Sequence, residues 1–183
     1  MTFHSARERR LWIWVAVIIG GIVLSMGWAQ SLAGELRERG LLQLTFSTGL
    51  ILVATSIVVQ GLRFRPRGWE IALGIGVAAT YLIVVGRMVT PEARSHLIEY
   101  SVLALFIYEA LLERREAGGT ARYVALMTIV ITSLLGVLDE CVQWFIPSRV
   151  FDPIDMLFNF LAATAAVSAS ACVTWLRRVV RRS

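Results

Sequence analysis

Residues 122–145 read RYVALMTIVITSLLGVLDECVQWF. A helix needs about 20 mostly apolar residues to cross the hydrocarbon core of a bilayer. This run supplies them, and its only acidic residues, Asp139 and Glu140, stand near one end. The stretch predicts a membrane-spanning helix. Similar runs lie at 11–29, 41–62, 69–89, 91–112 and 153–176. Together they predict an all-α, polytopic transmembrane bundle of about six spans, one integral membrane domain.

Composition agrees with that reading. Of 183 residues, 57% are hydrophobic and the mean hydropathy is +0.68, more apolar than an ordinary soluble domain. Six spans leave no room for a second, soluble domain. The predicted organisation is a cytoplasmic N-terminal tail at 1–10, a scaffold of three spans at 11–89, a polar core of three spans at 90–176 and a basic tail at 177–183.

The formal net charge is +5, and every basic residue is an arginine. Those arginines sit in loops and tails, where they set membrane orientation. Arg7, Arg9 and Arg10, then Arg63, Arg65 and Arg67, then Arg114, Arg115 and Arg122, then Arg177, Arg178, Arg181 and Arg182 fall on one side. Only Arg37, Arg39, Arg87, Arg94 and Arg149 fall on the other. Both termini are therefore expected in the cytoplasm of a plasma membrane protein. No basic run is interleaved with aromatics on a soluble element, so nucleic acid is not an expected partner; membrane lipids are.

Arg7 to Arg10 followed by an apolar run and Ser31-Leu32-Ala33 has the outline of a cleavable signal. The length of the run, with Trp12, Trp14 and Trp28 at its ends, suits a retained span with interfacial aromatics. Cys141 and Cys172 fall at different depths on successive spans, which disfavours a disulfide and predicts packing roles. Thr90-Pro91 and Asp152-Pro153 each place a capping residue before a proline at the first helical position. Asp155 adds a capping-box acid to the second start.

Polar chemistry gathers in the last three spans. Glu92, His96, Glu99 and Tyr100 fall on one helical face, at spacings of three and four. Asp139 and Gln143 share a face with Glu140 beside it, and Asp155 and Asn159 stand four apart. At 1.5 Å per residue, His96 and Glu99 lie about 7–12 Å into their span, and Asp139 and Glu140 about 8–10 Å before the end of theirs. Asp155 and Asn159 lie about 3–9 Å into the last span. All fall in one layer near the outer interface. A charge at the centre of a spanning helix costs about 2.5–3.5 kcal/mol on insertion scales and less near the interface. Intramembrane ionisable groups are therefore candidates for function.

Each residue also has a purely structural reading. His96 could be a helix-start histidine bonded to a carboxylate. Asp139 and Glu140 could pair with Arg149 or Arg94. Asp152 reads best as a cap, Asp155 could complete it, and Asn159 could join helices. Glu109 and Glu113 are expected at the inner surface, paired with Arg114 or Arg115. Carboxylates with one histidine would suit a hard or borderline cation, yet no paired-histidine motif occurs, and no metal or cofactor is predicted. The broken helices or inverted repeats of a secondary transporter are not evident either.

Residues Arg87 to Ala163 resemble the VanZ-like family of bacterial membrane proteins. The resemblance rests on His96, Tyr100, Gly136, Asp139, Glu140, Gln143, Phe145, Pro147, Arg149, Asp155 and Asn159. Ala162 stands where a glycine is common in that family and Asp152 where a serine is common. The resemblance implies a cell-envelope protein of a family whose named member is associated with resistance to teicoplanin, a lipid-bearing glycopeptide. It implies no defined reaction.

Two functions are compatible with these residues. The first is binding or remodelling of a lipid-linked or lipid-tailed envelope compound, with Arg94, Tyr100, Gln143, Arg149, Asp155 and Asn159 as binding residues. The second is an intramembrane hydrolase or group transferase acting on a lipid-linked substrate. His96, Glu99, Asp139 and Glu140 are the candidates for acid–base chemistry there.

Overall fold

The computed structural model describes residues 3–42, 44–45, 48, 68–69, 71–72, 75–76, 79, 91–119, 123–146 and 151–180, with the backbone alone at 26–31, 33, 91–96 and 174–180. The protein is all-α. Four helices have defined bounds: α1 Ala6–Glu38, α2 Pro91–Glu116, α3 Val124–Gln143 and α4 Pro153–Val180. Among the described residues, two helical segments are long and apolar enough to cross a membrane, α3 itself and Pro153–Val173 of α4. The spans expected at 41–62 and 69–89 lie almost wholly outside the described residues.

The chain divides into two compact units, Ser25–Val84 on the one hand and Met1–Leu24 with Val85–Ser183 on the other. Within the second of these, α2, α3 and α4 each pack against the other two. Helix α2 lies deepest: Leu97, Tyr100, Leu103, Ala104, Ile107, Tyr108, Ala110 and Leu111 are all buried.

The ends of these helices follow from local chemistry. Proline at the first position loses no hydrogen bond, because that N–H has no intrahelical acceptor; both α2 and α4 begin on one. The Asp152 carboxylate accepts the Ile154 N–H at 2.8 Å, so Asp152 is the cap its position suggests. Gly118 ends α2 with φ 84, a conformation that costs glycine nothing. The turn is sealed by Gly118 N–H to Arg115 O at 3.2 Å and Gly119 N–H to Arg114 O at 2.9 Å. Helix α3 starts less comfortably, after Tyr123 with φ 54, a left-handed conformation unusual for a tyrosine.

Helix α3 is inside out relative to a helix of a soluble protein. Its buried residues are Val124, Thr128, Thr132, Gly136, Asp139, Glu140 and Gln143, a small and polar stripe at helical spacing. Its exposed side carries Leu126, Met127, Val130, Leu134, Val137, Leu138 and Val142. Helix α4 repeats the arrangement, with Asn159, Ala162, Ala163 and Ala166 inward and Ile154, Leu157, Phe160 and Leu161 outward. Small inward residues let the helices approach closely. Both cysteines are free and exposed, so neither fills the packing role that the sequence suggests.

At the far end from Asp139, the start of α1 is fastened to the end of α2. Ser5 caps α1: its Oγ accepts the Glu8 N–H at 2.9 Å and donates to Glu113 Oε1 at 2.8 Å. Glu8 is wholly buried and accepts the His4 N–H at 2.7 Å, with Arg114 3.8 Å away. Arg7 pairs with Glu109 at 3.4 Å and with Glu113 at 3.3 Å. These two glutamates therefore pair with the first helix, not with Arg114 or Arg115 as expected, because α1 brings an arginine within reach. Residues Ala6–Arg10 belong to α1. One turn along, Trp14 faces Phe106 with ring centroids 6.4 Å apart. Rising residue numbers on α1 thus match falling ones on α2, and the two helices run antiparallel.

Candidate functional site

The buried stripe of α3 ends in the polar residues singled out in the sequence. Asp139, Glu140 and Gln143 all face inward. Carboxyl groups at i and i+1 are about 100° apart on a helix, so both are buried only because α2 covers one side of this face and α4 the other. Tyr100 of α2 reaches across, with its hydroxyl 3.4 Å from the Leu135 carbonyl and the Asp139 carboxylate beside it. Glu99, half-buried, precedes Tyr100 on α2, and Glu140 follows Asp139 on α3.

Glu140 also links α3 to the start of α4. It is wholly buried, and its Oε2 accepts the Asp152 N–H at 3.3 Å. In a capping box that N–H is satisfied by the acid three residues on, here Asp155. The neighbouring helix supplies the acceptor instead. Asp155 is half-buried in the first turn of α4.

Asn159 stands one helical turn after Asp155 and is wholly buried. It lies against Gly136. A Cβ added at Gly136 would come 2.9 Å from Asn159 Cβ and 3.0 Å from its Nδ2. Only a glycine lets the carboxamide sit so close to α3. Leu135, whose carbonyl faces Tyr100, adjoins that glycine. Tyr100 and Asn159 thus approach the same turn of α3 from its two neighbours.

Neither Asn159 Oδ1 nor Nδ2 has a hydrogen-bond partner among the described residues, and the same holds for Gln143 Nε2 and Thr132 Oγ1. An unmet buried polar group costs about 1–3 kcal/mol. By contrast, the equally buried Thr128 returns its hydroxyl to the Val124 carbonyl at 2.9 Å. Thr132 to Gln143 spans about 16 Å at 1.5 Å per residue, so these groups form a seam along α3 rather than one point.

The structure places the sequence candidates as follows. Tyr100, Asp139, Glu140, Gln143 and Asn159 are buried between α2, α3 and α4, and Glu99 is half-buried beside Tyr100. His96 and Arg94 lie in α2 near its start, but their side chains are outside the described residues, as is Arg149 altogether. Among the described residues, no group of three histidine, cysteine or acidic side chains is arranged to hold a metal ion. Thr132 escaped sequence reading, and so did Glu8. The spacing of four through Thr128, Thr132 and Gly136 toward Asp139 could have signalled the first. The capping-box pattern Ser5-Ala6-Arg7-Glu8 could have signalled the second. Comparison with known proteins finds no matching family model, curated protein or solved structure.

Proposed function

We propose that this chain is a VanZ-like integral membrane protein of the bacterial cell envelope. On this reading it binds or remodels a lipid-linked or lipid-tailed compound at the polar layer between α2, α3 and α4, and so modulates sensitivity to teicoplanin-type antibiotics. The observation that carries the membrane reading is the inversion of α3. Large aliphatic side chains point out and a polar stripe points in, the arrangement expected where the surroundings are lipid. The exposed Trp144 and Phe145 at one end of α3 and Tyr123 at the other suit the two interfaces of a bilayer. Six spans with both termini cytoplasmic complete the reading. The pairing of Arg7 with Glu109 and Glu113 supports it, because it keeps the N-terminus beside the arginine-rich end of α2.

The functional reading rests on the buried polar seam and on the resemblance of residues 87–163. Arg149, Arg94 and Arg87, near the outer end, are the residues proposed to hold an anionic group. The test is saturable binding of lipid-tailed amphiphiles to the purified protein and to Arg149→Ala. The variant should insert into membranes normally and bind anionic amphiphiles more weakly; equal binding removes Arg149 from the site. Impermeant labelling of Ser148→Cys in intact cells checks the topology, and labelling only after membrane disruption inverts it.

A second reading is an intramembrane hydrolase or group transferase. It is favoured by the buried carboxylates of Asp139 and Glu140, either of which is placed to act as a general base. Turnover distinguishes the two. Incubation with total envelope lipids should change the mass of one lipid if the protein is an enzyme, and should change none if it only binds.

A further inference from the structure

Resting on the reading of an amphiphile site, we propose that Asn159 reads an uncharged, hydroxyl-rich head group, the chemistry of a sugar, in the buried layer. The Asn159 carboxamide is wholly buried, and its acceptor and both donors are unmet among the described residues. It is pressed against Gly136, on the turn of α3 that also meets the Tyr100 hydroxyl. Gln143 Nε2, two turns further toward the end of α3, is buried and unmet as well.

The ligand class follows from what these atoms can bond. A carboxamide offers one acceptor and two donors side by side. Neighbouring hydroxyls of a sugar ring match it, one donating to Oδ1 and the next accepting from Nδ2. A phosphate has no such match: it brings negative charge toward Glu99, Asp139 and Glu140. Charged parts of the compound therefore stay outside the layer, and the neutral polar part enters it.

A residue that merely joined helices would have its amide bonded to the partner helix, and removing it would destabilise the fold. Among the described residues, Asn159 has no such bond to lose. Function and stability should therefore separate at this position.

The experiment uses the full chain in lipid nanodiscs, titrated with octyl glucoside or octyl phosphate below their micellar concentrations. Binding is read by calorimetry and unfolding by a thermal scan. Octyl glucoside should bind saturably to the parent chain and at least about tenfold more weakly to Asn159→Ala, while the variant unfolds at the same temperature or higher. Octyl phosphate should bind no differently to the two. A marked drop in the unfolding temperature of Asn159→Ala assigns the residue to helix joining and overturns the proposal. Unchanged glucoside binding by a well-folded variant also overturns it. Saturable binding of octyl phosphate alone defeats the sugar assignment and leaves the amphiphile site standing. Binding of neither probe defeats both.

Discussion

Replacing Gly136 by alanine tests the close approach of α3 to α4. The new methyl carbon would stand 2.9 Å from Asn159 Cβ, 3.0 Å from Nδ2 and 3.3 Å from Cγ. Carbon atoms prefer about 3.5–4.0 Å. Swinging the carboxamide aside relieves Nδ2 and Cγ but not Cβ, which moves only with the α4 backbone. Helices α3 and α4 must then separate by roughly 0.6–1 Å to restore an ordinary contact. Overpacking of this kind costs about 1–3 kcal/mol. Alanine regains about 1 kcal/mol of helix propensity over glycine, so the net loss should be about 0–2 kcal/mol. Separation would also strain the 3.3 Å bond from the Asp152 N–H to Glu140, pushing the value toward the upper end. The assay is equilibrium unfolding in mild detergent of Gly136→Ala, Asn159→Gly and the double variant. Asn159→Gly alone loses helix propensity but removes the opposing Cβ. The double variant should therefore be more stable than the sum of the singles predicts, by about 1 kcal/mol or more. Additivity within about 0.5 kcal/mol, as for sites that do not touch, would refute the close contact.

Three further outcomes follow from the same geometry. Asp152→Ala removes the acceptor of the Ile154 N–H and should cost about 0.5–2 kcal/mol, whereas Asp152→Asn should be nearly neutral; equilibrium unfolding measures both. Glu8→Ala strips the wholly buried acceptor of the His4 N–H and should cost about 1–3 kcal/mol. Arg7→Ala should cost less than about 1 kcal/mol, since its ion pairs are well exposed, and the reverse order would contradict the burial of Glu8. Cys141 and Cys172 are free and exposed, so the chain should migrate identically with and without reductant on a gel. Membrane-permeant maleimide should label both, and a disulfide-dependent shift would contradict their placement.

Much of the last three helices is legible from residue order alone. Pro91 and Asp152-Pro153 announce two helix starts, because a capping side chain and a proline act within one turn. The polar end of the inward stripe of α3, Asp139 and Gln143 with Glu140 beside them, is legible for the same reason, since spacings of three and four are local. What spacing cannot tell is which neighbour each face meets. Arg7 pairs with Glu109 and Glu113 across about a hundred positions of chain, and no local rule selects that pair over Arg114 or Arg115. The bond from Asp152 to Glu140 depends likewise on the rotation of α3 about its own axis. Gly136 reads as a small residue in the sequence, but its partner Asn159 emerges only once α4 is laid against it. Tyr123 gives no hint of its left-handed backbone, because most such positions hold glycine or asparagine.

The fastening of α1 to α2 is a closure between distant parts of the chain. Ser5, Arg7 and Glu8 meet Glu109, Glu113 and Arg114 at one end, and the two helices run antiparallel from there. Ser5 and Glu113 are 108 positions apart. Burial of Glu8 therefore has to wait until α2 has been made and laid beside the first turns of α1. Until then its carboxylate stays in water at no cost, and the last step of docking is the one that desolvates it.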